Sequence, residues 1–160
     1  MRPSRHRSRL GFTLAELIIA IVIIGILTAM SLPRMGRLRN QSALSNGMVR
    51  FTRAVMAARQ AAIQRGKHSF FTNNSSVISV VVDTMGDNTN LVVITRPLDL
   101  ADQYGVRVTR PSGLTSIEYD PRGVSTQATK QIFVFEHISS GTVDSLCVSK
   151  LGNTIRERCP

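Results

Sequence analysis

Tryptophan is absent from the 160-residue chain, and phenylalanine and tyrosine together supply only 5% of it. Aromatic platforms for stacking unpaired bases are therefore not what this chain is built from. Lysine is nearly missing too, at three residues against 17 arginines. Two cysteines (Cys147, Cys159) and three histidines (His6, His68, His137) are scattered, without the paired spacings of a structural zinc site. There is no Gly-x-Ser-x-Gly elbow, no phosphate-binding glycine loop, no His-Glu-x-x-His and no Cys-x-x-Cys. The acid-rich stretch from Asp83 to Asn90 misses the spacing of a calcium loop. The chain reads as a non-enzyme, with no cofactor and no metal. Internal repeats, low-complexity tracts and heptad runs are also lacking.

What is present is strongly segregated. Mean hydropathy is +0.04, which excludes both a disordered tail and a polytopic membrane protein. Yet Met1–Gly11 carries Arg2, Arg5, Arg7 and Arg9 with no acid, and Phe12–Leu32 is a 21-residue apolar run whose one charge is Glu16. At 1.5 Å per residue such a run spans roughly 30 Å, the thickness of bilayer hydrocarbon. Arg34, Arg37 and Arg39 follow it, so both flanks are basic and the charge rule favours a cytoplasmic leader only weakly. A secretory signal would have a shorter apolar core and a small-x-small site beyond it, for which Ala29-Met30-Ser31 is the one opportunity. A plain membrane anchor leaves Glu16 unexplained. A carboxylate five residues inside the run costs a few kcal/mol unless it lies at the headgroup boundary or is paired. Cleavage between Gly11 and Phe12 would create an α-amine one helical turn before Glu16, able to neutralise it within one chain or between neighbours.

Gly11-Phe12-Thr13-Leu14-Ala15-Glu16, after a short basic leader and before an unbroken apolar helix, resembles the N-terminus of a type IV prepilin. The resemblance covers roughly the first 35 residues. It implies that a prepilin peptidase cuts after Gly11, that Phe12 becomes an N-methylated first residue, and that Glu16 helps subunits dock into a filament. Pro33 stands where many pilins kink the helix just past the membrane segment.

The residues beyond it support the same architecture. From Gln41 to Arg65, Leu44, Met48, Phe51, Val55, Ala58 and Ala62 recur at steps of three and four, an amphipathic stripe, and Gly66 is a C-terminal stop. Pro33 and Gly36 are expected to bend or loosen a helix that would be on the order of 80 Å long. Strands are expected at Ser69–Phe71, Val77–Val82, Leu91–Thr95, Gly105–Thr109, Leu114–Tyr119, Gln131–Ile138, Val143–Val148 and Thr154–Arg158, separated by Gly-, Pro- and Asn-rich turns. The fold class is α+β: a long N-terminal helix, apolar then amphipathic, packed on an antiparallel head of one sheet or two, the pilin fold. The divisions are 1–11 leader, 12–33 transmembrane and filament-core helix, 34–66 amphipathic helix and 67–160 β-rich head. The 127 residues from Arg34 onward suffice to bury about two thirds of their extended surface.

Tyr119-Asp120-Pro121-Arg122-Gly123 before a β-rich segment looks like the aromatic-x-Pro-x-Gly turn of the H-type pseudopilin (GspH) and FimT-like minor pilin group. In an exported domain, Cys147 and Cys159 are most simply a disulfide, closing about 13 residues at a gain on the order of 3 kcal/mol. Loss of the leader leaves 16 basic against 10 acidic residues. Arg122, Lys130, Lys150, Arg156 and Arg158 concentrate in the last forty, and Arg156 and Arg158 share a strand face. They are candidate DNA-binding residues, because FimT-like pilins are associated with DNA capture through a basic tail with a Gly-Arg-x-Arg motif. Here only the Arg-x-Arg half matches, interrupted by Glu157. A solvated basic edge that discourages strand pairing accounts for the same residues. The expected function is a minor pilin or pseudopilin of a type IV pilus, in a priming or tip complex, with the H-type pseudopilin of a type II secretion system as the alternative. Expected partners are the prepilin peptidase, other major and minor pilins, inner-membrane lipid and double-stranded DNA. The expected location is the bacterial inner membrane, head in the periplasm, and then the pilus or pseudopilus.

Overall fold

The computed structural model describes residues 12–86, 89–111, 115–127 and 129–156, and for residues 30–34 the backbone only. One long helix, α1 (Leu14–Arg65), precedes eight strands: β1 (Ser69–Asn74), β2 (Val77–Asp83), β3 (Leu91–Asp99), β4 (Val106–Thr109), β5 (Ser116–Tyr119), β6 (Gln131–His137), β7 (Val143–Val148) and β8 (Thr154–Arg156). A short helix, α2 (Leu100–Tyr104), lies between β3 and β4. The chain forms two compact units, Met1–Leu38 and Arg39–Pro160.

In the first unit the helix carries its apolar side chains on all sides. Phe12, Leu14 and every large aliphatic residue from Leu17 to Leu27 expose more than half their surface. The Thr28 hydroxyl donates to the Ile24 carbonyl one turn back, so this polar group is satisfied inside the helix. α1 is continuous through Pro33 and Gly36. Among the described residues no helix is long and apolar enough to cross a membrane. The expected span over 12–33 draws on Met30–Pro33, whose side chains are not among those described.

The second unit is organised by the other half of α1. Leu44, Met48, Phe51, Val55, Ala58 and Ala62 are all buried, at most 3% exposed, as the three-and-four spacing predicts. The helix ends at Arg65 because Gly66 turns left-handed, with φ of 61°. Two four-stranded antiparallel sheets complete the unit, in the orders β3-β2-β1-β5 and β4-β6-β7-β8. Phe71, Ile78, Val80 and Ile117 from the first sheet and Val106, Phe133, Phe135 and Leu146 from the second join the helix stripe in one core. Each buried aliphatic or aromatic side chain contributes about 1.5–3 kcal/mol, so this cluster is the main source of stability.

Three local features depart from the sequence expectation. β1 continues to Asn74, and the hairpin into β2 is the two-residue turn Ser75-Ser76, with φ of 49° and 76°. Serine is a poor choice for such a turn. Here Ser76 is buried, its Oγ accepts from the Val108 N–H at 2.9 Å, and its carbonyl accepts from Leu100 at 3.1 Å. Tertiary bonds thus hold what local preference does not. β3 runs on through Pro97 to Asp99, tolerated because β3 is an edge strand. Finally, α2 is capped by Asp99, whose carboxylate accepts from Ala101 and Asp102, and it ends at left-handed Gly105.

Candidate functional site

Thr13 and Glu16 organise the start of α1. The Thr13 hydroxyl accepts a hydrogen bond from the Glu16 backbone N–H at 3.3 Å, which makes Thr13 the N-cap and Glu16 the third helical residue. Thr-Leu-Ala-Glu is thus a capping-box spacing, in which the glutamate also sits favourably at the positive end of the helix. The sequence reading places Glu16 at the headgroup boundary, in a charge pair or in docking, and leaves out this local role, although the threonine three residues earlier is its visible signal. Phe12 precedes the cap and is 80% exposed. Gly11 lies outside the described residues.

The turn after β5 is built by Asp120. Its carboxylate accepts from the backbone N–H groups of Arg122 and Val124, at 3.0 and 2.9 Å, and from Arg122 Nε at 3.0 Å. The Val124 N–H, and then Arg122, hold the Asp120 carboxyl below the usual carboxylate range. Tyr119 beside it is fully buried, and burial pushes its phenol up to about 12 against a smaller opposing pull from Arg59. Gly123 has φ of 77°, and a Cβ there would lie 2.6 Å from Ile63 Cδ1 of α1. The tyrosine anchors, the aspartate ties and the glycine allows close approach to the helix, so the Tyr-Asp-Pro-Arg-Gly turn is a clasp between the head and α1. A second clasp joins the sheets: Arg110 donates to the Ser116 carbonyl at 3.1 Å and to Gln131, with its guanidinium 5.0 Å from the centre of the Phe133 ring. Burial lowers its pKa.

The basic candidates fall into two groups. Gln131 pairs with Val148, and the Ser125 N–H donates to the Lys150 carbonyl at 2.8 Å. Lys130, Lys150 and the Arg122 turn therefore share one end of the second sheet, and all three side chains are exposed. Neither lysine makes an ion pair among the described residues, whereas Arg122 is held by Asp120 at 3.0 Å. Arg156 stands apart. It lies opposite Leu146 within β8, and its Nε donates to Asp144 at 2.8 Å across twelve residues of sequence. Part of its charge is thereby answered within the head, although the side chain remains 56% exposed. Arg158 and Cys159 lie outside the described residues. Cys147 is buried in β7, and no described cysteine is a free thiol.

With this geometry in place, comparison adds two findings. Residues 6–32 match the family defined by the prokaryotic N-terminal methylation motif. No curated protein matches the chain in sequence. The fold is similar to that of the type IV minor pilin FimU of Pseudomonas aeruginosa in two crystal forms. One has a TM-score of 0.57 at 16% identity, covering 79% of this chain and 93% of that one. The other has a TM-score of 0.53 at 15% identity, covering 74% and 92%.

Proposed function

We propose that the chain, a type IV pilin-like protein by its N-terminal motif and its fold, is a minor pilin that is cut after Gly11 and assembled through α1 into a type IV pilus. The observation that carries this is the methylation motif, residues 6–32, spanning the start of a helix whose apolar side chains are exposed on every side there. Eleven such side chains, from Phe12 to Leu27, would gain roughly 15–30 kcal/mol on leaving water. Residues 12–33 serve as the inner-membrane anchor before assembly and as the filament core after it, residues 34–66 as the support and residues 67–160 as the periplasmic head. The head contacts other major or minor pilins in a priming or tip complex, and Cys147 pairs with Cys159, the only other cysteine in the sequence. Coexpression with a prepilin peptidase tests processing. The intact mass is expected to fall by residues 1–11 and rise by one methyl group on Phe12, and Gly11→Val is expected to keep the leader. A mature chain that still begins at Met1 contradicts the reading.

A second activity is favoured by the gathering of Arg122, Lys130 and Lys150 at one end of a sheet. That end is suited to the phosphates of double-stranded DNA, contacting backbone rather than bases. An electrophoretic shift of duplex DNA by the detergent-solubilised chain is expected at low salt, weakening steeply as salt rises. Lys130→Ala/Lys150→Ala is expected to weaken binding about tenfold, each lost phosphate contact also reducing the salt slope by about one. An unchanged shift in that variant removes this surface from consideration.

A further inference from the structure

From Leu17 to Arg65, α1 carries Arg34, Arg37, Arg39, Arg50, Arg53, Arg59 and Arg65 and not one acid. No helix-internal ion pair can answer this charge. Arg37, Arg39, Arg50, Arg53 and Arg65 are exposed, and none of them makes a salt bridge among the described residues. Two of them border a groove of about 240 Å³ between α1 and β3, with Arg96 of β3 on the far side. Its floor is apolar, formed by Ala54, Ala57, Ile78 and Leu98, and among the described residues no acid lines it. Asp99, the nearest acid in sequence, is occupied in capping α2, and Arg50 Nε is steadied by the Tyr104 hydroxyl at 3.1 Å.

One wall of the groove is an open edge. β3 pairs only with β2, so its other side presents unpaired backbone groups. Upstream of the groove, Leu91, Val92 and Val93 are consecutive and all exposed. An edge strand, an apolar floor and three guanidinium groups together specify an extended segment that carries carboxylates and small apolar side chains. A nucleic-acid backbone would use the arginines but neither the floor nor the strand edge. A second copy of this chain, still with 16 basic against 10 acidic residues once the leader is lost, is a poor source of the acids.

We propose that the groove between α1 and β3 binds an extended acidic segment of another protein, which pairs with the β3 edge and places carboxylates against Arg50, Arg53 and Arg96. The test uses the full chain in detergent and a fluorescein-labelled peptide of five Glu-Val repeats, read by anisotropy. Arg53→Glu/Arg96→Glu alters two exposed residues, so an unchanged thermal melting curve is expected; it should weaken peptide binding about tenfold or more. Lys130→Glu/Lys150→Glu makes the same change in net charge elsewhere and should weaken it less than about threefold, the residual long-range effect. Equal losses in the two variants would mean nonspecific attraction and overturn the proposal, as would peptide binding that neither variant alters. A 20-base-pair duplex is the third probe: if Arg53→Glu/Arg96→Glu abolishes its binding while sparing the peptide, the groove is a nucleic-acid site instead.

Discussion

Phe51→Ala is expected to destabilise the head by about 3–5 kcal/mol, a large share of the 5–15 kcal/mol that holds a domain of this size. The side chain is fully buried on α1, and three rings surround it, with centroids 4.7 Å away for Phe71, 4.6 Å for Phe133 and 5.1 Å for Phe135. Phe71 belongs to the first sheet and the other two to the second, so one side chain ties both sheets to the helix. Removing it costs the transfer of the ring, the cavity left behind and three tilted or edge-on contacts worth roughly 0.5–1.5 kcal/mol each. These components overlap, which is why the total is not their sum. In urea unfolding the midpoint should fall by about 2 M. Ile132→Ala in the same strand as Phe133, where the side chain is 39% exposed, should cost less than about 1 kcal/mol. Equal losses at the two positions would mean that Phe51 is not the junction of the core.

Why Phe51 was legible in the sequence, and the sheet arrangement was not, is a matter of range. Helix periodicity is a local signal, and all six stripe residues named from spacing are buried on α1, which also buries Gly47 and Ala61 beside them. Strand segments rich in Val, Ile and Phe declared themselves in the same way, down to β8. Which strands pair is set by contacts between distant residues, and nothing in the spacing places β5 beside β1 rather than beside β6. The Ser75-Ser76 hairpin was missed because its left-handed backbone is held by Val108 and Leu100, far along the chain. The basic tail illustrates the same limit. Arg156 counts as a free cation until the β7–β8 register places Asp144 beside it, and Arg122 until its own turn folds Asp120 under it. The groove under Arg50, Arg53 and Arg96 needs the helix and β3 brought together. The bond from the Glu16 N–H to Thr13, by contrast, spans only three residues and is fully local.

That cap sharpens the test of assembly. Glu16 has two roles to separate: third residue of a capped helix, and, in the proposed filament, a carboxylate answered by the α-amine that cleavage would liberate on Phe12. The amine, with an ordinary pKa near 7.7–8, is largely charged at neutral pH and belongs to a residue just before the cap, four positions ahead of Glu16. An unanswered carboxylate in the apolar core would cost a few kcal/mol, and so would an unanswered amine. Glutamine serves as well as glutamate at this capping position but carries no charge. Glu16→Gln therefore keeps a side chain suited to the third helical position and leaves the amine alone, whereas Glu16→Ala keeps only the backbone N–H that donates to Thr13. Neither change touches the cleavage site, so both variants should lose residues 1–11 normally.

The decisive measurement is the ratio of variant to wild-type subunit in filaments sheared from cells that express both, quantified by mass spectrometry on peptides from the head. Glu16→Gln and Glu16→Ala should each be depleted about tenfold or more, the factor that 1.4 kcal/mol confers. Glu16→Gln entering filaments at parity with wild type, while Glu16→Ala does not, would show that the side chain acts through its polarity at the helix start and that charge pairing does not drive assembly.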